Sequence, residues 1–399
     1  MRRPMFLLAL ACAASAAAQQ PAATNPDIVV TGRSLADTAA ALAACIARDC
    51  PPDQDIAATL AHAENQFVAG EYRDARVTLT ASIRRNGREG SGFPVEVSGL
   101  YRANARVAAH LGEARAFQLS ILDMRDALRA GLPDSDPRVL AARIEVADSR
   151  VRLGYDSRSR YAEIARDADA LGAHRVAAFA RIRIAAGDLA IDRNARDPAN
   201  VRTARRDLEA ISAGGDRVGA DMALLAEVLL ARFEREEGSN ARTDRLIARF
   251  AATSGARRPL MLSGDPVRLP EDGRIDDETS GNTLNRVQMR SVGRQWMDVG
   301  FWIDGTGRVS DYEILRSEGT GDWADAVELS VKSRTYAPPA RDPGGAAPGF
   351  YIVERYTLTA DWVETNCTGS RMRCRSPQAR IERLDLTPEV DNRPAVTNG

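Results

Sequence analysis

The residues able to do chemistry are few in this 399-residue chain, and their spacing does not bring them together. Its three histidines, His62, His110 and His174, lie far apart on helix-patterned segments, with no H-E-x-x-H or other ligand spacing to converge two rings on a metal. Gly90-Ser91-Gly92 lacks the flanks of a nucleophile elbow, Ser330-Val331-Lys332 is not an S-x-x-K pair, and a hairpin turn accounts for Gly305-Thr306-Gly307. The acid pairs Glu236-Glu237 and Asp276-Asp277 sit in polar stretches, without the apolar surroundings that would raise one carboxyl into a general acid. These patterns imply a protein that binds rather than catalyses. No catalytic residue, cofactor, metal ligand or small-molecule substrate is expected, and an unrecognised hydrolase is the rival in a different class.

The cysteines point to structure. Cys12 falls in a leader, and the other four form two close pairs, Cys45 with Cys50 and Cys367 with Cys374. Neither pair has C-x-x-C spacing, and four thiols with no histidine nearby make a poor zinc site. Two local disulfides are expected in an oxidising space, each worth about 2–3 kcal/mol on the chain-entropy view.

The leader supports that compartment. Arg2 and Arg3 precede an apolar stretch from Met5 to Ala14, and Ala16-Ala17-Ala18 offers an A-x-A cleavage site. Residues 1–18 therefore read as a signal peptide cleaved after Ala18, with export to the periplasm and partners among cell-envelope proteins. The stretch is shorter than the ~20 residues of a spanning helix. Losing two arginines takes 54 bases to 52 against 55 acids, a net charge of −3. No basic surplus exists to hold nucleic acid. Residues 19–33 then form an extended tail.

From residue 34 to 255 apolar residues recur at three- and four-residue spacing, and alanine, leucine and arginine outnumber β-branched residues, which predicts about eleven helices. Gly70-Glu71-Tyr72, Gly112-Glu113-Ala114 and Gly154-Tyr155-Asp156 recur every 42 residues, and Ala186-Gly187-Asp188 is read as a less regular continuation. A stack of two-helix repeats is the simplest cause. The segment Ala63-Glu64-Asn65-Gln66-Phe67-Val68-Ala69-Gly70-Glu71-Tyr72-Arg73-Asp74-Ala75 resembles the centre of a tetratricopeptide repeat, although the period exceeds that family's 34 residues. The resemblance implies a solenoid with a concave binding face; a plain antiparallel helical array is the alternative.

After Gly255 the pattern changes. Pro259, Gly264, Pro266, Pro270 and Gly273 break the helices, and residues 256–284 read as a linker. Val299, Phe301 and Ile303 alternate with Asp298, Gly300 and Trp302, a turn follows at Asp304-Gly305-Thr306-Gly307, and Val309 to Leu315 makes a second strand. Trp323, Ala326, Val327, Ser330 and Val331 share a helix face, and the last strand is expected from Phe350 to Trp362. The order is β-β-α-β. The expected fold class is thus multidomain, α plus α+β: an antiparallel helical-repeat array followed by a small β-β-α-β domain at residues 285–364, then a disulfide-bearing tail at residues 365–399.

The run Met297-Asp298-Val299-Gly300-Phe301-Trp302-Ile303-Asp304-Gly305-Thr306-Gly307-Arg308-Val309-Ser310-Asp311, followed by Ile314-Leu315-Arg316-Ser317-Glu318-Gly319 and Tyr336-Ala337-Pro338-Pro339, resembles the C-terminal domain of TonB, the periplasmic end of an energy transducer. The resemblance implies a domain that takes extended peptides by strand addition. It places the acceptor edge on the last strand, at Val353, Arg355, Thr357 and Thr359. The tail segment Asp27-Ile28-Val29-Val30-Thr31-Gly32 resembles a TonB box, the peptide that such domains pair with, and its β-branched run favours an extended chain. A TonB-dependent receptor or TonB complex is the partner implied, and the expected function is a periplasmic TonB-like adaptor assisting outer-membrane transport. The alternative is a cell-envelope scaffold whose β-domain is only structural.

Overall fold

The computed structural model describes residues 33–191, 193–251, 259–269, 295–337, 349–365 and 372–387. Eleven α-helices come first: α1 (Leu35–Ala47), α2 (Pro52–Val68), α3 (Tyr72–Asn86), α4 (Pro94–His110), α5 (Ala114–Gly131), α6 (Pro137–Arg152), α7 (Arg158–Ala170), α8 (His174–Ala190), α9 (Pro198–Ser212), α10 (Ala220–Glu236) and α11 (Ala241–Ala251). Among the described residues no helix is long and apolar enough to cross a membrane.

The punctuation of these helices is local chemistry. Pro52, Pro94, Pro137 and Pro198 each open a helix at a position whose N–H has no intrahelical partner to lose. Gly70, Gly112 and Gly154 close α2, α4 and α6 with φ of 84°, 70° and 84°, where a side chain would be strained. The next N–H in each turn reaches back to a carbonyl of the last helical turn: Glu71 to Gln66 at 2.8 Å, Glu113 to Ala108 at 2.8 Å and Tyr155 to Arg150 at 2.9 Å. The 42-residue recurrence is therefore a recurring helix stop. Gly187 is not part of it, because it lies inside α8; the next such turn is Gly172, with φ of 73°.

Among the described residues the C-terminal unit is antiparallel β-structure with one helix. Strand β1 (Met261–Ser263) pairs with β4 (Thr335–Tyr336), and β2 (Trp296–Ile303), β3 (Val309–Glu318), β5 (Phe350–Thr365) and β6 (Met372–Asp385) form a four-stranded sheet in the order β3-β2-β5-β6. Helix α12 (Trp323–Lys332) covers the face carrying Met297, Val299, Phe301, Ile303, Ile352 and Tyr356. Two expected boundaries change. The expected linker contains a strand, because Leu262 is buried in a cluster with Val228, Ala231 and Leu246 while its neighbours pair with β4. The tail after residue 365 contains β6, which pairs with β5 from Glu354↔Asp385 to Thr365↔Met372.

The two units share a core. Trp296 of β2 packs in one cluster with Ile56, Phe67, Tyr72, Leu79 and Leu100 of the helices. A methyl group on Gly70 would lie 2.8 to 2.9 Å from the Trp296 indole, whereas one on Gly154 would meet nothing within 4 Å. Gly154→Ala should therefore cost only the left-handed backbone penalty, about 1–2 kcal/mol, and Gly70→Ala about 2 kcal/mol more through overpacking. Denaturant unfolding of the two variants measures the difference, and equal losses would contradict the close approach of the sheet.

Candidate binding surface

Successive side chains of a strand point to opposite faces, so the residues opposite the α12 face are Trp296, Asp298, Gly300 and Trp302 of β2, with Thr357, Arg355, Val353 and Tyr351 paired across from them. This face lies on the ends of the helices that stop at Gly70 and Gly112. Its centre is an ion pair. Arg355 donates from Nε to Asp298 Oδ1 at 2.6 Å and from Nη2 to Oδ2 at 2.8 Å, with the two side chains 0% and 1% exposed.

The remaining guanidinium hydrogens read the end of α2. Arg355 donates to the Phe67 carbonyl at 2.6 Å and the Val68 carbonyl at 2.7 Å. These are last-turn carbonyls with no partner inside the helix, at the negative end of the helix dipole. Arg316 of β3 reinforces the arrangement, reaching Asp298 Oδ2 at 2.5 Å and the Val68 carbonyl at 3.3 Å. The Arg355 guanidinium also lies 4.1 Å from the centre of the Trp296 ring.

One turn further along the array the same relation recurs. The Trp362 N–H donates to the Gly112 carbonyl at 2.8 Å, Arg380 of β6 approaches the Ala109 carbonyl at 3.4 Å, and Arg152 at the end of α6 pairs with Glu382 of β6. Between the two turns, the Thr357 hydroxyl is shared by the Tyr72 hydroxyl at 3.0 Å and His110 Nδ1 at 2.9 Å. Burial, with Arg152, Arg355, Arg106 and Arg380 around it, lowers the pKa of His110 from 6.5 to about 3.

The residues expected to form a peptide-accepting edge thus lie elsewhere. Strand β5 is internal, paired to β2 on one side and β6 on the other. Arg355, Thr357 and Thr359 are buried on the array-facing side, and Val353 is spanned by Leu386 and Thr387, which bond its carbonyl and its N–H. The edge expected at β5 is closed because β6 already occupies its ladder. Cys45 and Cys50 are disulfide-bonded, with Cα atoms 5.3 Å apart. Ala18, the segment Asp27, Ile28, Val29, Val30, Thr31 and Gly32, and Cys367 lie outside the described residues, as does the side chain of Cys374 in β6. His62 and His174 bond Thr38 and Asp169 and do not converge with His110 on any centre. Among the described residues no group of three or more potential metal ligands occurs.

The outer strands of the sheet are β3 and β6, and the candidate open edge is β3. Among the described residues it pairs with β2 alone, and its residues from Glu313 to Glu318 are exposed. Ile314 and Leu315 are 47% and 42% exposed, and Trp302 on the neighbouring strand is 39% exposed beside Tyr351, ring centres 5.2 Å apart. Sequence reasoning missed both Trp296 and the role of Asp298; the only available signal was an acid inside an otherwise apolar strand. Comparison of the chain with protein-family models, with curated proteins and with solved structures finds no match.

Two outcomes follow from the buried network. Arg355→Leu should lower stability by about 3–5 kcal/mol, while the double variant Arg355→Leu, Asp298→Leu should lose less than the two single losses added, with a coupling above about 1 kcal/mol. Additive losses in a denaturant double-mutant cycle would contradict the pair. For His110, the folded pKa lies below the unfolded one, so its contribution is complete above pH 6.5 and is lost as pH falls toward 3, by about 1.4 kcal/mol per unit. His110→Gln, which can still bond Thr357 but does not titrate, should flatten stability between pH 6.5 and pH 5; an unchanged slope would assign it to another group.

Proposed function

We propose that this chain is a periplasmic adaptor, tetratricopeptide-like in its helical array and TonB-like in its C-terminal unit. It takes an extended segment of a cell-envelope partner by strand addition at β3. The observation that carries the reading is the outer side of this ten-residue strand, unpaired among the described residues, with exposed apolar residues beside it. An added strand gains main-chain hydrogen bonds along the ladder, and its alternate side chains meet the residues flanking the edge. The helical array supports the reading by fixing the sheet, since its turns hold the face behind β3 and leave the edge outward. A TonB complex or TonB-dependent receptor remains the partner class we propose, and Asp27 to Gly32 is the kind of segment that a TonB-like edge accepts, β3 of this chain included.

The cell-envelope scaffold is favoured by a different observation, the burial of the sheet face on helix ends, which is itself a structural role. One experiment separates them. A peptide spanning Asn25 to Arg33, titrated to about 1 mM into the full chain, should slow backbone hydrogen exchange at Val309–Glu318 and leave β5 unchanged. Val29→Pro in the peptide, which removes a ladder donor, should abolish the protection. No protection at β3 would contradict strand addition and leave the scaffold.

A further inference from the structure

We propose that the β3 edge selects a cationic extended segment in which apolar residues alternate with charged ones, an inference that rests on strand addition at β3. The first support is charge. From Arg308 to Lys332, through β3 and α12, the chain carries Asp311, Glu313, Glu318, Asp322, Asp325 and Glu328 against only Arg308, Arg316 and Lys332. Both Arg316 and Lys332 are already committed, to Asp298 and Glu328. Asp311, Asp322 and Asp325 are exposed and form no ion pair among the described residues. An incoming strand therefore meets Asp311 in β3 and Asp325 near Tyr312, neither held in an ion pair among the described residues.

The opposite edge of the sheet carries the opposite sign. Strand β6 holds Arg373, Arg375, Arg380 and Arg383 against Glu382 and Asp385, and Pro377 interrupts its supply of N–H donors. Arg380 and Arg383 are themselves paired, with Asp361 and Glu382 and with Glu354, so composition and proline distinguish the two ends of one sheet: only the acidic end has a strand without proline.

The second support is the pattern of apolar surface. Ile314 pairs with Val299, whose side chain lies in the core beneath α12, so Ile314 belongs to the α12 side. On that side α12 presents Asp325, Glu328, Leu329 and Lys332 at three- and four-residue spacing, with Leu329 72% exposed. This helix face adjoins β3, because Lys332 Nζ lies 5.8 Å from the centre of the Tyr312 ring. Burial first, and then the Glu328 and Asp325 carboxylates, push the Tyr312 hydroxyl up to about 12, which places both acids near β3. Leu315 lies on the other side of the sheet, close to Gly300. A strand laid along β3 would set one row of its side chains over Ile314 and Leu329 and the other beside Leu315 and Glu313. Apolar residues in one row and arginine or lysine at the carboxylates satisfy both.

The test uses the full chain and three short synthetic peptides that alternate valine with arginine, with serine or with glutamate. Affinity is read by fluorescence anisotropy and location by hydrogen exchange at β3. The arginine peptide should bind at least about tenfold more tightly than the serine peptide at low salt, and the glutamate peptide least. The advantage should shrink toward unity in about 0.5 M salt. The combined variant Asp311→Asn, Asp322→Asn, Asp325→Asn should remove most of it with unchanged thermal unfolding; asparagine suits the φ of 49° at Asp311. Equal binding and equal β3 protection by arginine and serine peptides would overturn the charge selection and leave strand addition standing. Protection by none of the three would overturn both. Arginine-peptide protection confined to residues outside β3, or self-association of the chain that competes with the peptide, would assign the edge a different occupant and overturn the proposal.

Discussion

A single buried guanidinium sets the geometry of this molecule. Arg355 satisfies Asp298 on its own sheet and meets two carbonyls at the end of α2, and it does so with no exposure to solvent. Removing such a pair from water costs several kcal/mol, so the arrangement persists only where every donor and acceptor finds a partner. The α2 end supplies those partners. The sheet must therefore lie face-on to the helix ends, and a face used in this way is not available to a ligand.

From that constraint the free edge follows. Strand β5 lies inside the sheet above the helix turns, β6 follows it along the array to Arg152, and β3 is left on the outside. The recurring glycine stop matters here as much as the arginines. It ends α2 and α4 with carbonyls facing the same way 42 residues apart in the chain, and Arg355 and Arg380 meet them in turn. Arginine suits this task better than lysine because its planar fork can address a carboxylate and two carbonyls together.

Much of the helical half was legible in the sequence, since proline openings, glycine stops and three- and four-residue spacing are local signals. So were the hairpin from β2 to β3 and the buried face of α12. Gly187 misled, because a glycine followed by an acid carries no mark that it sits inside a helix. Strand β6 was hidden by Pro377 and by arginines where a core-facing strand would alternate apolar residues. The candidate edge was misplaced for a deeper reason. Arg355, Thr357 and Thr359 alternate with apolar neighbours as a solvent-facing row would, and only the helix carbonyls, Tyr72 and His110, more than 240 positions away, make that row an interior. Polarity along a strand states that partners are needed without saying whether water or protein supplies them.

The central claim is that one face of the sheet is sealed while the β3 edge is open among the described residues, and backbone hydrogen exchange on the full chain tests it most directly. Amides of Ile352 to Ala360 should be among the slowest in the chain and should exchange together with the end of α2, while outward amides of β3 from Glu313 to Glu318 exchange orders of magnitude faster. Fast exchange along β5 with protection along β3 would contradict the account.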